Sequence, residues 1–400
     1  MVAPKLRFQE FDGDWESKKL KDLTDILKCG VASTPKYVTE GGYPFLSAQN
    51  ISRNGEMNYS KVNNISDDFY KKISKTKLLK GDILYSRVGA SYGVAAIFDR
   101  EEEYGVYVSL THIRVNDTLN NIFLKQFLNS PKARIQAEQG VFQGGGVQNL
   151  NVGVVEEFNL TLPSKQEQTK IASFLSAVDE KISQLTQKHQ LLSQYKQGMM
   201  QKLFSQQIRF KADDGSEFSE WSFSKLNNYI NESKDKSKYQ DEYDVLTSSR
   251  KGLIKQTEYF EDSRLADRDN IGFNIIKQNE ITYRSRSDDG LFFFNLNKLG
   301  ITGIISTYYP VINMKNSDNR FFHAYLNFHK HEYVKYAVGT SQLVLSLNEL
   351  RNMKFYIPCL AEQTKIANFL SAIDQKIEIA AQQIEQAKQW KKGLLQQMFV

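Results

Sequence analysis

A chain of 400 residues exceeds what one hydrophobic core organises, so two or more domains are expected. Its 40% hydrophobic and 24% charged residues are ordinary for a globular protein, and a net charge of +6 permits a polyanionic partner without demanding one. Only two cysteines, Cys29 and Cys359, argue against a disulfide framework and for a reducing cytoplasm; no window approaches the ~20 apolar residues of a membrane span, and the opening MVAPKLRFQEFDGDW lacks an apolar leader.

Along the first half, short apolar or alternating runs bounded by Gly, Asn, Asp or Ser turns predict strands at DILYSRV, GVAAIFD, YGVYVSL and HIRVN. A brief helix is predicted over NIFLKQFLNSPKARIQAEQ. The FQGGG that follows at 142–146 has a helix-like run before it and polar QNLN after it, the reverse of a nucleotide-binding glycine turn, and reads as a loop. Beyond Pro163 apolar residues recur in steps of four and three: Ile171, Leu175, Val178, Ile182, Leu185, His189, Leu192, Lys196, Met199, Leu203. That heptad seam contains no proline and predicts a helix of roughly 35–40 residues, about 55 Å long. The second half offers another strand at EITYRS, a short helix over NRFFHAYLNFHKHEYVKYA, and a second seam: Ile366, Leu370, Ile373, Ile377, Ala380, Ile384, Ala387, Lys391, Leu394, Met398.

The two halves are copies. Shifting the chain by 195 residues superposes 162–204 on 357–399 with 20 of 43 positions identical, EQTKIASFLSAVDEKI returning as EQTKIANFLSAIDQKI. YPFLSAQN resembles YDVLTSSR, KGDILYSRVGASYG resembles QNEITYRSRSDDG, and Arg7–Phe8 is echoed by Arg209–Phe210. The fold class expected is α+β: two globular domains joined by two long helices forming an antiparallel coiled coil, with an internal pseudo-twofold repeat. The boundaries expected are 1–162, 163–205, 206–357 and 358–400. Antiparallel pairing is preferred because a parallel pair in register would set Lys196 against Lys391; in an antiparallel pair their long stems would reach water at opposite ends.

No catalytic constellation is legible. His323, His329 and His331 lie close together, but no cysteine or carboxylate completes a metal-ligand spacing, so no metal is expected. What recurs is polar, planar and basic side chains in matched loops. In the first half these are Ser47, Gln49, Asn50, Arg53, Tyr85, Arg87, Ser91, Tyr92, Gln143, Gln148 and Asn149, with Thr34 and Lys36 ahead of them. In the second they are Thr247, Ser248, Ser249, Arg250, Lys251, Tyr283, Arg284, Arg286, Ser341 and Gln342. Arginine forks fit guanine, Gln and Asn fit adenine, and Ser, Thr, Lys and Tyr suit phosphates, so double-stranded DNA is the expected ligand.

The turn-rich GGYPFLSAQNIS, the ILYSRVGASYGVAAI stretch and the duplicated proline-to-EQTK junction resemble the DNA-specificity subunit of type I restriction–modification systems. The resemblance covers essentially the whole chain. It implies two target-recognition domains that each read half of a bipartite target, helical repeats that space them, and no cofactor in this chain. It also implies two modification (methyltransferase) subunits as partners, which would hold S-adenosylmethionine, and restriction subunits that would bring ATP and Mg. Candidate docking positions on the exposed flanks of the seam are Gln168, Lys170, Glu180 and Lys181 with their repeats Gln363, Lys365, Gln375 and Lys376. The alternative is a non-enzymatic coiled-coil scaffold carrying two ligand-binding domains.

Overall fold

The computed structural model describes residues 4–33, 35–73, 77–140, 149–259, 269–340 and 342–399. The chain divides into two compact units, Met1–Gln187 with Ala381–Val400, and Lys188–Ala380. The division falls inside both long helices, Lys165–Phe204 and Leu360–Met398, so each unit owns half of each.

In the first unit an antiparallel sheet runs in the order Thr24–Cys29, Leu110–Val115, Ile83–Ser86, Ala95–Ile97. A second sheet orders Tyr37–Val38, Asn63–Ile65, Tyr43–Leu46 and Gly105–Val106, the last pair parallel. The predicted brief helix is two, Asn121–Leu128 and Pro131–Gln139, because Ser130 caps a fresh start with proline at its first position. The strand Glu16–Lys19 pairs with Asn159–Leu162 and so brings the chain back to the start of the first long helix. One apolar cluster joins these parts: Trp15, Leu20, Ile83, Tyr85, Phe123 and Phe127 pack with Leu175 and Val178 of one long helix, Met398 of the other and Phe399 just beyond its end.

The second unit repeats that plan. Its main sheet orders Ile230–Glu232, Val311–Met314, Ile281–Tyr283, Phe294–Leu296, and Ser222–Lys225 pairs with Lys354–Ile357. Asp244–Ser249 lies parallel to Gly303–Ile305, as Tyr43–Leu46 does to Gly105–Val106. The other sheet diverges at its edges, where the hairpin strand Gly252–Lys255 and Asn274–Ile276 flank that pair. Phe321, Phe322 and Tyr325 of the helix Asn319–Phe328 fill the core against Leu203, Phe204, Ile366 and Leu370.

Both seams behave as their spacing predicts. Ile171, Leu175, Val178, Leu185 and Leu203 are buried, as are Ile366, Leu370, Ile373, Ala380, Leu394 and Met398, and the remaining seam positions are half-buried. The helices run antiparallel within each unit: Phe174 stacks edge-on against Trp390 while Asp179 meets Lys391 in the first, and Tyr195 meets Phe369 while Lys196 meets Asp374 in the second. Rising numbers on one helix face falling numbers on the other. The first helix ends where Gln206 adopts a left-handed φ of 58°, its N–H bonded to Leu203 O and that of Ile208 to Lys202 O. One expectation is corrected. Lys196 and Lys391 do not send their ammonium groups to water but end on aspartates, because the antiparallel register places Asp374 and Asp179 opposite them.

Candidate nucleic-acid interface

In the first unit one hydrogen-bond network draws three predicted loops together. Ser47 and Asn50 close a tight turn, Asn50 N–H donating to Ser47 O and Ser47 N–H to Asn50 Oδ1, both at 2.9 Å. Ser91 Oγ donates to Ala48 O at 3.0 Å, which fastens the YSRVGASYG loop to that turn. Arg87 then reaches the third segment, its Nε donating to Leu150 O at 2.6 Å and its Nη1 to Val108 O at 3.0 Å, while Leu150 N–H returns a bond to Arg87 O.

The second unit gathers its three loops by different contacts. Asn295 Nδ2 donates to Ser248 Oγ and to Ser249 O at 2.7 and 2.8 Å, holding the strand that ends in the Arg250–Lys251 turn. Arg250 Nη2 lies 2.6 Å from Asp289 Oδ2 and Gln342 Nε2 lies 2.8 Å from Asp288 Oδ1. The short strand Arg286–Ser287 pairs with Leu343–Val344, and Leu345 N–H donates to Ser285 O. Leu345 is Leu150 shifted by 195, and Ser285 stands at the place of Arg87, so one backbone bond closes both constellations.

Burial sorts the candidates. Lys36, Gln49, Arg53 and Asn149 are exposed in the first unit, with Ser47 half-buried. Arg250, Lys251, Arg284 and Arg286 are exposed in the second, with Thr247, Ser249 and Gln342 half-buried. The remainder of the described candidates are corrected. Tyr85 and Tyr283 are wholly buried, and burial pushes both phenols upward, so neither ring can meet a base. Asn50 spends its Nδ2 on Asn58 O and Lys61 O, and Arg87 its guanidinium on backbone carbonyls. Tyr92 lies beneath Arg134 with its hydroxyl on Ala137 O, and Ser91 and Ser248 are buried in the networks above. Thr34, Gln143, Gln148 and Ser341 lie outside the described residues, as does the FQGGG run.

The docking candidates divide as cleanly. Gln168 and Gln363 are buried, each amide tying its helix to its globular part. Gln168 Oε1 accepts from Asn120 N–H at 2.9 Å and its Nε2 donates to Pro163 O at 3.1 Å; Gln363 does the same with Asp318 N–H and Pro358 O at 3.1 and 2.9 Å. They hold the fold and cannot present a docking face. Lys170, Glu180, Lys181, Gln375 and Lys376 are exposed, and Lys365 is half-buried beside Asp213.

Sequence reasoning missed two sets of residues. Glu167 and Glu362, buried one step before those glutamines, each receive an arginine fork: Arg7 at 2.8 and 2.8 Å, Arg209 at 3.1 and 2.9 Å. The signal was present, since both the EQTK glutamate and the Arg–Phe dipeptide are duplicated. In the second unit Arg286 lies over the exposed Tyr308, and both Arg250 and Lys330 lie over Phe293. No spacing marks those aromatics. Among the described residues no group of three His, Cys, Asp or Glu is placed to hold a metal, and no helix is long and apolar enough to cross a membrane.

A model of the type I restriction modification DNA specificity domain matches at residues 12–194 and again at 227–389, once on each copy of the repeat. The chain belongs to that family. Such a specificity subunit recognises DNA and is not itself a catalyst, and the family carries no catalytic cofactor of its own. The chain is similar to the type I restriction enzyme MjaVIII specificity subunit of Methanocaldococcus jannaschii, at 24% identity over 97% of this chain and 94% of that one. The fold of the specificity subunit is matched by the type I restriction–modification S subunit from M. genitalium, with a TM-score of 0.62 and 19% identity over 100% of this chain and 99% of that one. A chain from a structure concerned with complex assembly of a type I system matches with a TM-score of 0.51.

Proposed function

We propose that each unit reads one half of a bipartite DNA sequence and that the chain docks two modification subunits, through which restriction subunits join. The reading domains are 1–162 and 206–357, and the helices within 163–205 and 358–400 set the interval between the half-sites. S-adenosylmethionine belongs to the modification subunits, and ATP and Mg to the restriction subunits. One observation carries this reading: the same three-loop constellation, closed by Leu150 N–H to Arg87 O and by Leu345 N–H to Ser285 O, is built once on each unit.

The side chains at the two constellations differ, as two different half-sites require. The first offers Gln49, Arg53 and Asn149, the second Arg250, Arg284, Arg286 and Gln342. Arginines bind guanine O6 and N7 in a fork, amides bind the adenine edge, and each good pair discriminates by about 1–3 kcal/mol. Lys36 and Lys251 add phosphate contacts that raise affinity on any sequence and weaken with salt. The scaffold alternative has nothing comparable to recommend it, since unrelated ligands would not call for basic loops at repeated places.

Co-expression with the modification subunit, purification of the complex and sequencing of methylated DNA tests the proposal. Methylation at a two-part motif with an unread interval is expected. A complex that methylates without sequence preference, or at one uninterrupted motif, would overturn it.

A further inference from the structure

The second unit sets two carboxylates among its basic loops, where a polyanionic ligand makes them costly. They are Asp288 and Asp289, and the matching stretch of the first unit, SRVGASYG, has none. Each holds a candidate reader: Asp289 Oδ2 accepts from Arg250 Nη2 at 2.6 Å, and Asp288 Oδ1 from Gln342 Nε2 at 2.8 Å. The Arg250 side chain remains 62% exposed, and an ion pair so placed adds little to stability. Its use lies elsewhere.

The carboxylate is itself fixed. Asp289 Oδ1 accepts from Ser287 Oγ at 2.9 Å and from Leu291 N–H at 3.2 Å, in a turn where Gly290 adopts a left-handed φ of 77°. With Oδ1 engaged by its own loop, Oδ2 is left to face Arg250. The guanidinium also lies over the half-buried ring of Phe293, 5.5 Å from its centroid, with Lys330 at 5.4 Å from the same ring. Among the described residues, Arg250 is the one of the three exposed arginines that has both an aromatic floor and a carboxylate; Arg286 has the ring of Tyr308 alone. Arginine ordinarily surrenders much rotamer freedom on binding, and this one, gripped from two sides, has already given it up. The pair is also neutral, which weakens its pull on phosphate while leaving the remaining guanidinium donors clear of the carboxylate. A neutral group with a fixed fork suits a neutral base edge with two acceptors, and guanine O6 and N7 form that edge.

We propose that Arg250 reads a guanine in the half-site of the second unit and that Asp289 is its positioning residue, setting the fork and cancelling the charge that would otherwise draw it to phosphate. This rests on the reading that the second unit binds its own half-site.

The test uses the full chain assembled with its modification subunit, after sequencing of the motif it methylates. Arg250→Ala, Asp289→Asn and the double variant are titrated by fluorescence anisotropy against that motif and against duplexes altered at each of its base pairs. Asparagine keeps an Oδ1 acceptor for Ser287 and Leu291 but turns an amide towards Arg250, so the turn survives and the grip is lost. The melting point of the chain should hold within roughly 2 °C. Arg250→Ala should lose discrimination at one G·C pair, by roughly tenfold to a hundredfold, and at no other pair. Asp289→Asn should lose roughly tenfold at the same pair, bind mismatched DNA more tightly and steepen the salt dependence by about one charge. The double variant should discriminate no worse than Arg250→Ala, because the carboxylate acts through the arginine. Sharper discrimination in Asp289→Asn would make Asp289 a shield over Arg250, and losses that add in the double variant would part the two residues; either overturns the proposal. So does a loss that falls on no G·C pair, or a melting point lowered further, which would make Asp289 a prop of its own loop. In all of these the two-part motif persists and the proposed function stands. A motif without a second half-site would fell that function, and this proposal with it.

Discussion

Lys196 Nζ lies 2.6 Å from Asp374 Oδ1, and the repeat-related Lys391 Nζ lies 2.5 Å from Asp179 Oδ1. Each pair locks the antiparallel register, because sliding one helix by a turn would part both charges at once. The pairs are not equally buried. Asp179 also accepts from Gln126 Nε2 at 2.8 Å and faces Lys125 at 3.7 Å, a lysine whose pKa burial lowers; among the described residues Asp374 faces Lys298, at 3.9 Å, besides its partner. Asp179→Ala therefore strands two half-buried lysines and an amide, Asp374→Ala one lysine. The expected losses are about 2 and about 1 kcal/mol, read by urea unfolding. Equal losses would mean that Lys125 and Gln126 contribute nothing.

The arginine forks anchor each N-terminal segment to the helix it precedes. Arg209 bonds Glu362 twice and also reaches Ser219 O at 2.6 Å, and Trp221 Nε1 donates to the same carboxylate at 3.1 Å. Lysine keeps the charge but cannot fork, so Arg209→Lys should cost about 2 kcal/mol. Glu362→Gln should cost more, since it leaves a guanidinium facing a neutral amide in a closed site. Urea unfolding followed by the fluorescence of Trp221 measures both.

Acid should affect the units in opposite directions. In the first, burial opposes the charge of Asp82, but bonds from His112 at 2.7 Å and Arg114 at 2.8 and 2.7 Å outweigh it and hold the carboxyl at about 2. A depressed carboxyl stabilises fully above its ordinary value near 4, and that stability fades as pH falls towards 2; it is on the order of 2 kcal/mol. Glu280 occupies the same repeat position, and there burial wins and raises the pKa. Its folded form binds the proton more readily than the unfolded chain, so acidification from neutral pH down to the ordinary glutamate value near 4.5 favours the second unit. Amide exchange followed from pH 6 to 3 should show the first unit loosening earlier, and Asp82→Asn should reduce its acid sensitivity.

The exposed arginines of the second unit should separate specificity from affinity. Arg284→Ala is expected to relax one position of one half-site at a cost of about 1–3 kcal/mol, while Lys251→Ala should weaken binding on every sequence and flatten its salt dependence by about one charge. Fluorescence anisotropy of the assembled complex on matched and mismatched duplexes distinguishes the two.

Much of the fold was legible because repetition served as an internal alignment. The heptad steps, the proline-to-EQTK junctions and the short apolar runs mark the helices and strands, and equal spacing of two copies exposes the pseudo-twofold plan. The site was less legible. Tyr85 and Arg87 belong to a predicted strand and the polar turn after it, and strand alternation turns one into the core while backbone carbonyls claim the other. Gln168 looked like a coiled-coil flank and is instead the clasp between helix and sheet, a role set by Asn120 across 48 residues and invisible to periodicity. The lysine–aspartate register depends on where two helices meet, which only packing decides.

The central claim is that each unit reads its own half-site. Replacing residues 22–150 by those of a relative with a different target, and sequencing the methylated DNA made by the resulting complex, tests it most directly. One half of the motif should change, while the other half and the interval between them persist. Both halves changing together, or neither, would contradict the account.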